Sequence, residues 1–98
     1  MKILAMEHEI PGDVGSSFQR HAKAEARKAW ELHQSGAIRE LYFRTDQYTA
    51  VLVLECASVE DAASILDELP FVKEGLITFE LIPLKAYSGF ERLFNENE

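Results

Sequence analysis

Apolar residues recur along the chain in two rhythms, and the switches between them mark out its elements. Lys2 to Ile10 suits a strand, and the PGDVG that follows breaks it, because proline fixes φ and glycine permits a turn. Beyond the break, Phe18, Ala22, Ala29 and Leu32 fall at helical spacing along a helix that runs to about Ser35. Ser16 or Ser17 can cap its start, and Gly36 supplies the left-handed residue that ends it. Ala37 to Arg44 reads as a second strand, and Thr45-Asp46-Gln47 turns the chain back into a third, Tyr48 to Cys56, the most apolar. Ser58 then caps a second helix, with Glu60 and Asp61 in the first turn where the helix dipole favours acids. Val59, Ala62, Ala63, Leu66 and Leu69 form its buried stripe, and Pro70 is expected to stop it. Gly75 to Leu84 gives a fourth strand, followed by an aromatic-rich tail from Tyr87 to Phe94.

The order βαββαβ predicts an α+β, ferredoxin-like subunit, a four-stranded antiparallel sheet with both helices on one face. A different α+β sandwich is the alternative. Two of the strands are apolar on both sides. Ala50, Leu52 and Leu54 oppose Val51 and Val53, and Leu76, Ile82 and Leu84 oppose Ile77, Phe79 and Leu81. An antiparallel sheet with one wet face would alternate apolar and polar residues instead. Two helices cover one face only, so a second copy of the sheet is the simplest cover for the other. The expectation is a homodimer or higher homo-oligomer, with Phe90, Leu93 and Phe94 reaching across to the partner.

Composition narrows the class. With 98 residues the chain reads as a single domain, residues 1–98, with 87–98 as its tail. A chain of this size has a thin core. Cys56 is the sole cysteine, which removes an intrachain disulfide and suits a reducing compartment. The apolar run near the start is too short for a signal peptide, and no stretch approaches the roughly 18 apolar residues of a membrane helix, so a cytoplasmic location is expected. The net charge of −7 argues against nucleic acid and anionic membranes as partners. Arg20, Lys23 and Arg27 gather on the first helix as a solvated face.

The run GAIRELYFRTDQYTAVLVLECASVEDAASILDELP resembles the muconolactone isomerase family and the wider group of dimeric α+β barrels. The resemblance rests on Gly36 closing helix one, Arg39 three residues later, Leu41, Tyr48 opening strand three, the Ser58-Val59-Glu60 cap and Leu69-Pro70. Glu25 falls where that family also has an acid. Tyr42 and Gln47 stand where tryptophan and histidine are expected. The resemblance implies a cofactor-free lactone isomerase that shifts a double bond in the breakdown of aromatic compounds. It also implies subunits assembled through back-to-back sheets, and related barrels include cofactor-free oxygenases.

Candidate chemistry centres on Glu25, a carboxylate inside the apolar stripe, with His21 beside it one turn earlier. Moving a lactone double bond needs a base to take a proton next to a conjugated carbonyl, and burial lifts a carboxyl pKa toward that task. Arg39 or Arg44 could grip a substrate carboxylate or stabilise charge on the carbonyl oxygen. Tyr42, Tyr48 and Trp30 could wall a planar ligand. Each has a plainer reading: Glu25 paired with Lys28 or His21 at the core's edge, the arginines in surface ion pairs, Trp30 as packing. His33 reads as structural and Cys56 as an inert buried thiol. No metal motif links His8, His21 and His33, and neither metal nor cofactor is expected. Three functions follow: a lactone isomerase using Glu25 and His21, a cofactor-free monooxygenase of the same fold, or a non-catalytic small-molecule-binding or assembly module.

Overall fold

The computed structural model describes residues 1–12 and 15–95. Asp13 and Val14 of the PGDVG turn, and the last three residues of the tail, lie outside the described residues. The elements are β1 (Lys2–Glu9), α1 (Gly15–Gln34), β2 (Ile38–Phe43), β3 (Ala50–Glu55), α2 (Val59–Leu66), α3 (Pro70–Lys73) and β4 (Ile77–Leu84), followed by a 3-10 helix at Gly89–Phe94. The strands form one antiparallel sheet in the order β2-β3-β1-β4, the ferredoxin-like arrangement.

Register assigns each side chain to a face. Ile3 pairs with Leu54 and Ala5 with Leu52, and all four are buried beneath the helices. Leu4 pairs with Val53 and Met6 with Val51, turned the other way. Leu32 of α1, Ile38 of β2 and Ala62, Leu66 and Leu69 of the α2 region complete the core. The opposite face carries Leu4, Met6, Val51, Val53 and Ile82, half-buried and apolar. Both faces of the central strands are therefore greasy, as the alternation predicts. Strand β2 carries a bulge at Arg39, because Ile38 faces Leu54 and Glu40 already faces Val53. The extra residue puts Leu41 and Phe43, rather than Glu40 and Tyr42, on the same face as Ile38.

The helix ends follow local chemistry. Gly36 has φ +87°, the left-handed value that ends α1. The His33 ring sits at that end and donates through Nδ1 to the Ile38 carbonyl at 2.9 Å, tying the helix to β2. Ser58 Oγ accepts the Asp61 N–H at 3.1 Å and caps α2.

Three boundaries differ from expectation. Helix α1 begins at Gly15, so Ser16 and Ser17 lie inside its first turn rather than before it. Helix α2 ends at Leu66, well before Pro70. Pro70 instead opens α3, because its fixed φ suits a first helical position and its missing N–H would be unpaired there anyway. Tyr48 lies in the turn, since β3 begins only at Ala50.

The 3-10 segment is largely exposed, and the principal axes measure 61 × 29 × 21 Å. Tyr87 and Phe90 meet edge to face, and Tyr87, Phe90, Leu93 and Phe94 are 66–83% exposed. Among the described residues no helix is long and apolar enough to cross a membrane.

Candidate functional site

Small residues open the space between α1 and the sheet. The α1 stripe presents Phe18, Ala22, Glu25, Ala26 and Ala29, and the short alanine side chains leave the gap beneath them unfilled. Beneath them lie Ala50 and Leu52 of β3, Leu41 and Phe43 of β2, and Phe79 of β4. The result is a cavity of about 610 Å³, open on one side and mostly apolar. That is the size and character of a small-molecule site.

Three glutamates, Glu7, Glu9 and Glu25, line this cavity, and two of them are fixed by backbone amides. Glu25 comes from α1, and its Oε1 accepts the Phe71 N–H of α3 at 2.9 Å. The Phe71 ring in turn meets Phe18 edge to face at 4.9 Å, which fixes the α1–α3 corner. Glu7 comes from β1, and its Oε1 accepts the Ala50 N–H at 3.0 Å. The β1–β3 ladder stops at Met6–Val51, so the Glu7 side chain takes over from the backbone at the next step.

Burial lifts both acids. Glu25 is raised above the ordinary value of 4.5 by desolvation, opposed by the Phe71 hydrogen bond and reinforced by the charge of Glu7. Glu7 is raised by desolvation, opposed by the Ala50 bond and reinforced by Glu9. A carboxyl group lifted in this way is closer to working pH and better poised for proton transfer.

The other expected residues have other engagements. Glu25 does not pair with Lys28, whose ammonium is held by Glu68 at 3.0 Å and Glu31 at 3.5 Å. His21 is half-buried on α1 but does not line the cavity. Arg39 turns back and donates from Nε to the Gly36 carbonyl at 2.6 Å. Arg44 forms a two-pronged pair with Asp46, at 2.9 and 2.6 Å, which raises the arginine and lowers the aspartate. Neither arginine reaches the cavity, because each finds a partner within three residues of chain. Tyr42 touches the cavity's margin, but its register opposite Val51 turns it to the far face. There its hydroxyl donates to Glu40 at 2.6 Å, and that bond raises its pKa. Trp30 is 59% exposed beside the His33 ring and does not line the cavity. Tyr48, 78% exposed, stacks on Phe43 at 4.4 Å and stands at the mouth.

Glu7 is the residue that the helical stripe does not reveal. Its signal is parity: Ile3, Ala5 and Glu7 share one side of β1, and the first two are fully buried. Among the described residues no three His, Cys, Asp or Glu side chains converge on a common point to hold an ion.

No family model matches the sequence, and no curated protein matches it. Among solved structures, the fold is similar to 5-chloro-2-hydroxyhydroquinone dehydrochlorinase (TftG) from Burkholderia phenoliruptrix AC1100, in complex with 2,5-dihydroxybenzoquinone. The TM-score is 0.66 at 19% identity, over 91% of this chain and 98% of the other. At that identity the likeness is one of fold: this chain shares its ferredoxin-like α+β arrangement with an enzyme that processes a small ring compound.

Proposed function

We propose that the cavity is the active site of a small isomerase that moves a proton on an unsaturated lactone or hydroxylated ring, within the breakdown of aromatic compounds. The observation that carries this reading is Glu25, a carboxylate with a raised pKa, held by the Phe71 amide at the wall of an apolar cavity. Ionised Glu25 takes the proton from the carbon between a carbonyl and a double bond. The electron pair moves onto the carbonyl oxygen, and a proton is returned at the far end of the conjugated system. The aromatic side chains Phe18, Phe43, Phe71 and Phe79 suit a flat substrate. The dehydrochlorinase, which shares the fold and was solved with a hydroxyquinone, supports a hydroxylated ring as the second substrate form.

The same reading places the protein in homodimers, the sheet faces that bear Leu4, Val51, Val53 and Ile82 meeting and the aromatic tail lying on the partner. Its support is the apolar face that α1 and α2 do not cover.

Double-bond migration in unsaturated lactones, followed by ultraviolet absorption in deuterated buffer, tests the activity. Glu25→Gln should slow it by about 10²–10⁴, the usual contribution of a positioned base. Turnover at the wild-type rate in that variant overturns the role of Glu25.

A further inference from the structure

We infer that Glu7 is the second proton-transfer group of this cavity, held in the opposite protonation state to Glu25, and that the acidic lining restricts the ligand to uncharged molecules. This deepens the proton-transfer reading of the cavity and rests on it.

The geometry treats the two acids alike. Each enters the same cavity, and each has Oε1 committed to a backbone N–H from a different segment, Ala50 for Glu7 and Phe71 for Glu25. A carboxylate accepts through both oxygens, so each acid keeps Oε2 for a substrate. The amides also fix where those oxygens point, which a solvated glutamate would not achieve. Glu7 comes from β1, in the floor, and Glu25 from α1, in the roof, so a flat ligand between helix and sheet meets one on either side.

The charges around them set the protonation state. The ionisable side chains among the described lining residues are Glu7, Glu9, Glu25, Tyr42 and Tyr48, all acidic or phenolic. Of the basic groups nearby, His21 lies one turn before Glu25 on α1 but outside the lining, and two others are engaged elsewhere. Lys28 is held by Glu68 and Glu31, and His8 pairs with Glu80 at 3.2 Å on the other face of the sheet. The charge of Glu7 raises Glu25 and that of Glu9 raises Glu7, so joint ionisation is resisted and a proton is retained among these acids across an intermediate pH range.

That single proton is what an isomerisation needs. The ionised partner breaks a C–H bond and keeps the proton, the electron pair moves into the conjugated system, and the protonated partner delivers its proton to the far carbon. No proton is gained or lost overall. The roles of the two acids are exchanged after each turnover and restored by proton exchange with water. A ligand with its own carboxylate would bring a further negative charge to a lining that offers it no cation.

Two probes of one ring test this, each assayed with wild type, Glu7→Gln and Glu25→Gln. They are α-angelica lactone, which is uncharged, and the related unsaturated lactone bearing a carboxymethyl group. The expected result is isomerisation of the uncharged lactone, preferred by about tenfold or more over the anionic one. Glu7→Gln should lose about 10²–10⁴ in rate and convert a bell-shaped pH profile into a single limb. Carbon-13 NMR of labelled glutamates supplies a measurement independent of turnover: Glu7→Gln should lower the Glu25 midpoint. Glu7→Asp, which keeps the charge, should retain the bell. A Glu7→Gln variant with wild-type rate and profile, beside an inactive Glu25→Gln, overturns the role of Glu7 and leaves that of Glu25 standing. An unmoved Glu25 midpoint overturns the pairing, and preference for the anionic lactone overturns the charge selection. Wild type no faster than buffer on both lactones, or Glu25→Gln at full rate, sinks the underlying proton-transfer reading instead.

Discussion

Glu25 is under opposed demands, and replacing it should expose both. Its dominant pKa influence is burial, which outweighs the stabilising Phe71 hydrogen bond. The folded protein therefore holds the ionised form at a cost. Below the ordinary glutamate value of 4.5, folded and unfolded chains both carry the proton and no cost exists. As pH rises from there through the raised folded value, the unfolded chain releases its proton first and is favoured. Glu25→Gln keeps an oxygen for the Phe71 N–H and never ionises. It should be more stable than wild type at pH 7, the gap closing as pH falls toward 4.5. Glu25→Ala also removes the charge but leaves the Phe71 N–H without its acceptor. That bond is worth about 1 kcal/mol, from which alanine's better helix propensity takes back about 0.3 kcal/mol. At about 4–8 °C per kcal/mol for a chain of this size, Glu25→Gln should melt roughly 3–6 °C above Glu25→Ala. Differential scanning calorimetry at pH 4, 5.5 and 7 reads all three proteins. A Glu25→Gln midpoint at or below wild type at pH 7, or a gap that does not narrow in acid, refutes the reasoning.

Leu54→Ala, at a fully buried position of β3, should cost about 3–5 kcal/mol by urea titration. Gly36→Ala should cost about 1–2 kcal/mol from the left-handed backbone. Its new Cβ meets nothing nearer than Arg39 Nε at 3.9 Å, so crowding contributes little. If the proposed sheet-to-sheet dimer forms, Val51→Asp, on the sheet face away from the helices, should convert it to a folded monomer in sedimentation velocity, with the far-ultraviolet dichroism unchanged.

Much of the fold was legible because each element announces itself locally. The α1 stripe, the Gly36 terminator, the Ser58 cap and the two-sided apolar strands all follow from short-range rules, and the structure has them. What escaped depends on register or on competition between nearby partners. Pro70 reads equally as a stop or as a start, and the break at Leu66 decided for the start. Arg39 and Arg44 carry the chemistry to grip an anion, but a carbonyl three residues away and an acid two residues away hold them. Glu25 was visible because helical period placed it in an apolar stripe. Glu7 needed the same test applied with period two along β1, where it follows Ile3 and Ala5 on the buried side.

The bulge in β2 makes Arg39 supernumerary in the ladder. Ile38 already sits opposite Leu54, and Glu40 opposite Val53. Excising Arg39 would straighten the edge yet leave Leu41 and Phe43 looking inward as before. This strand thus holds a residue of slack, and a shortened version of the chain would keep the same cavity wall.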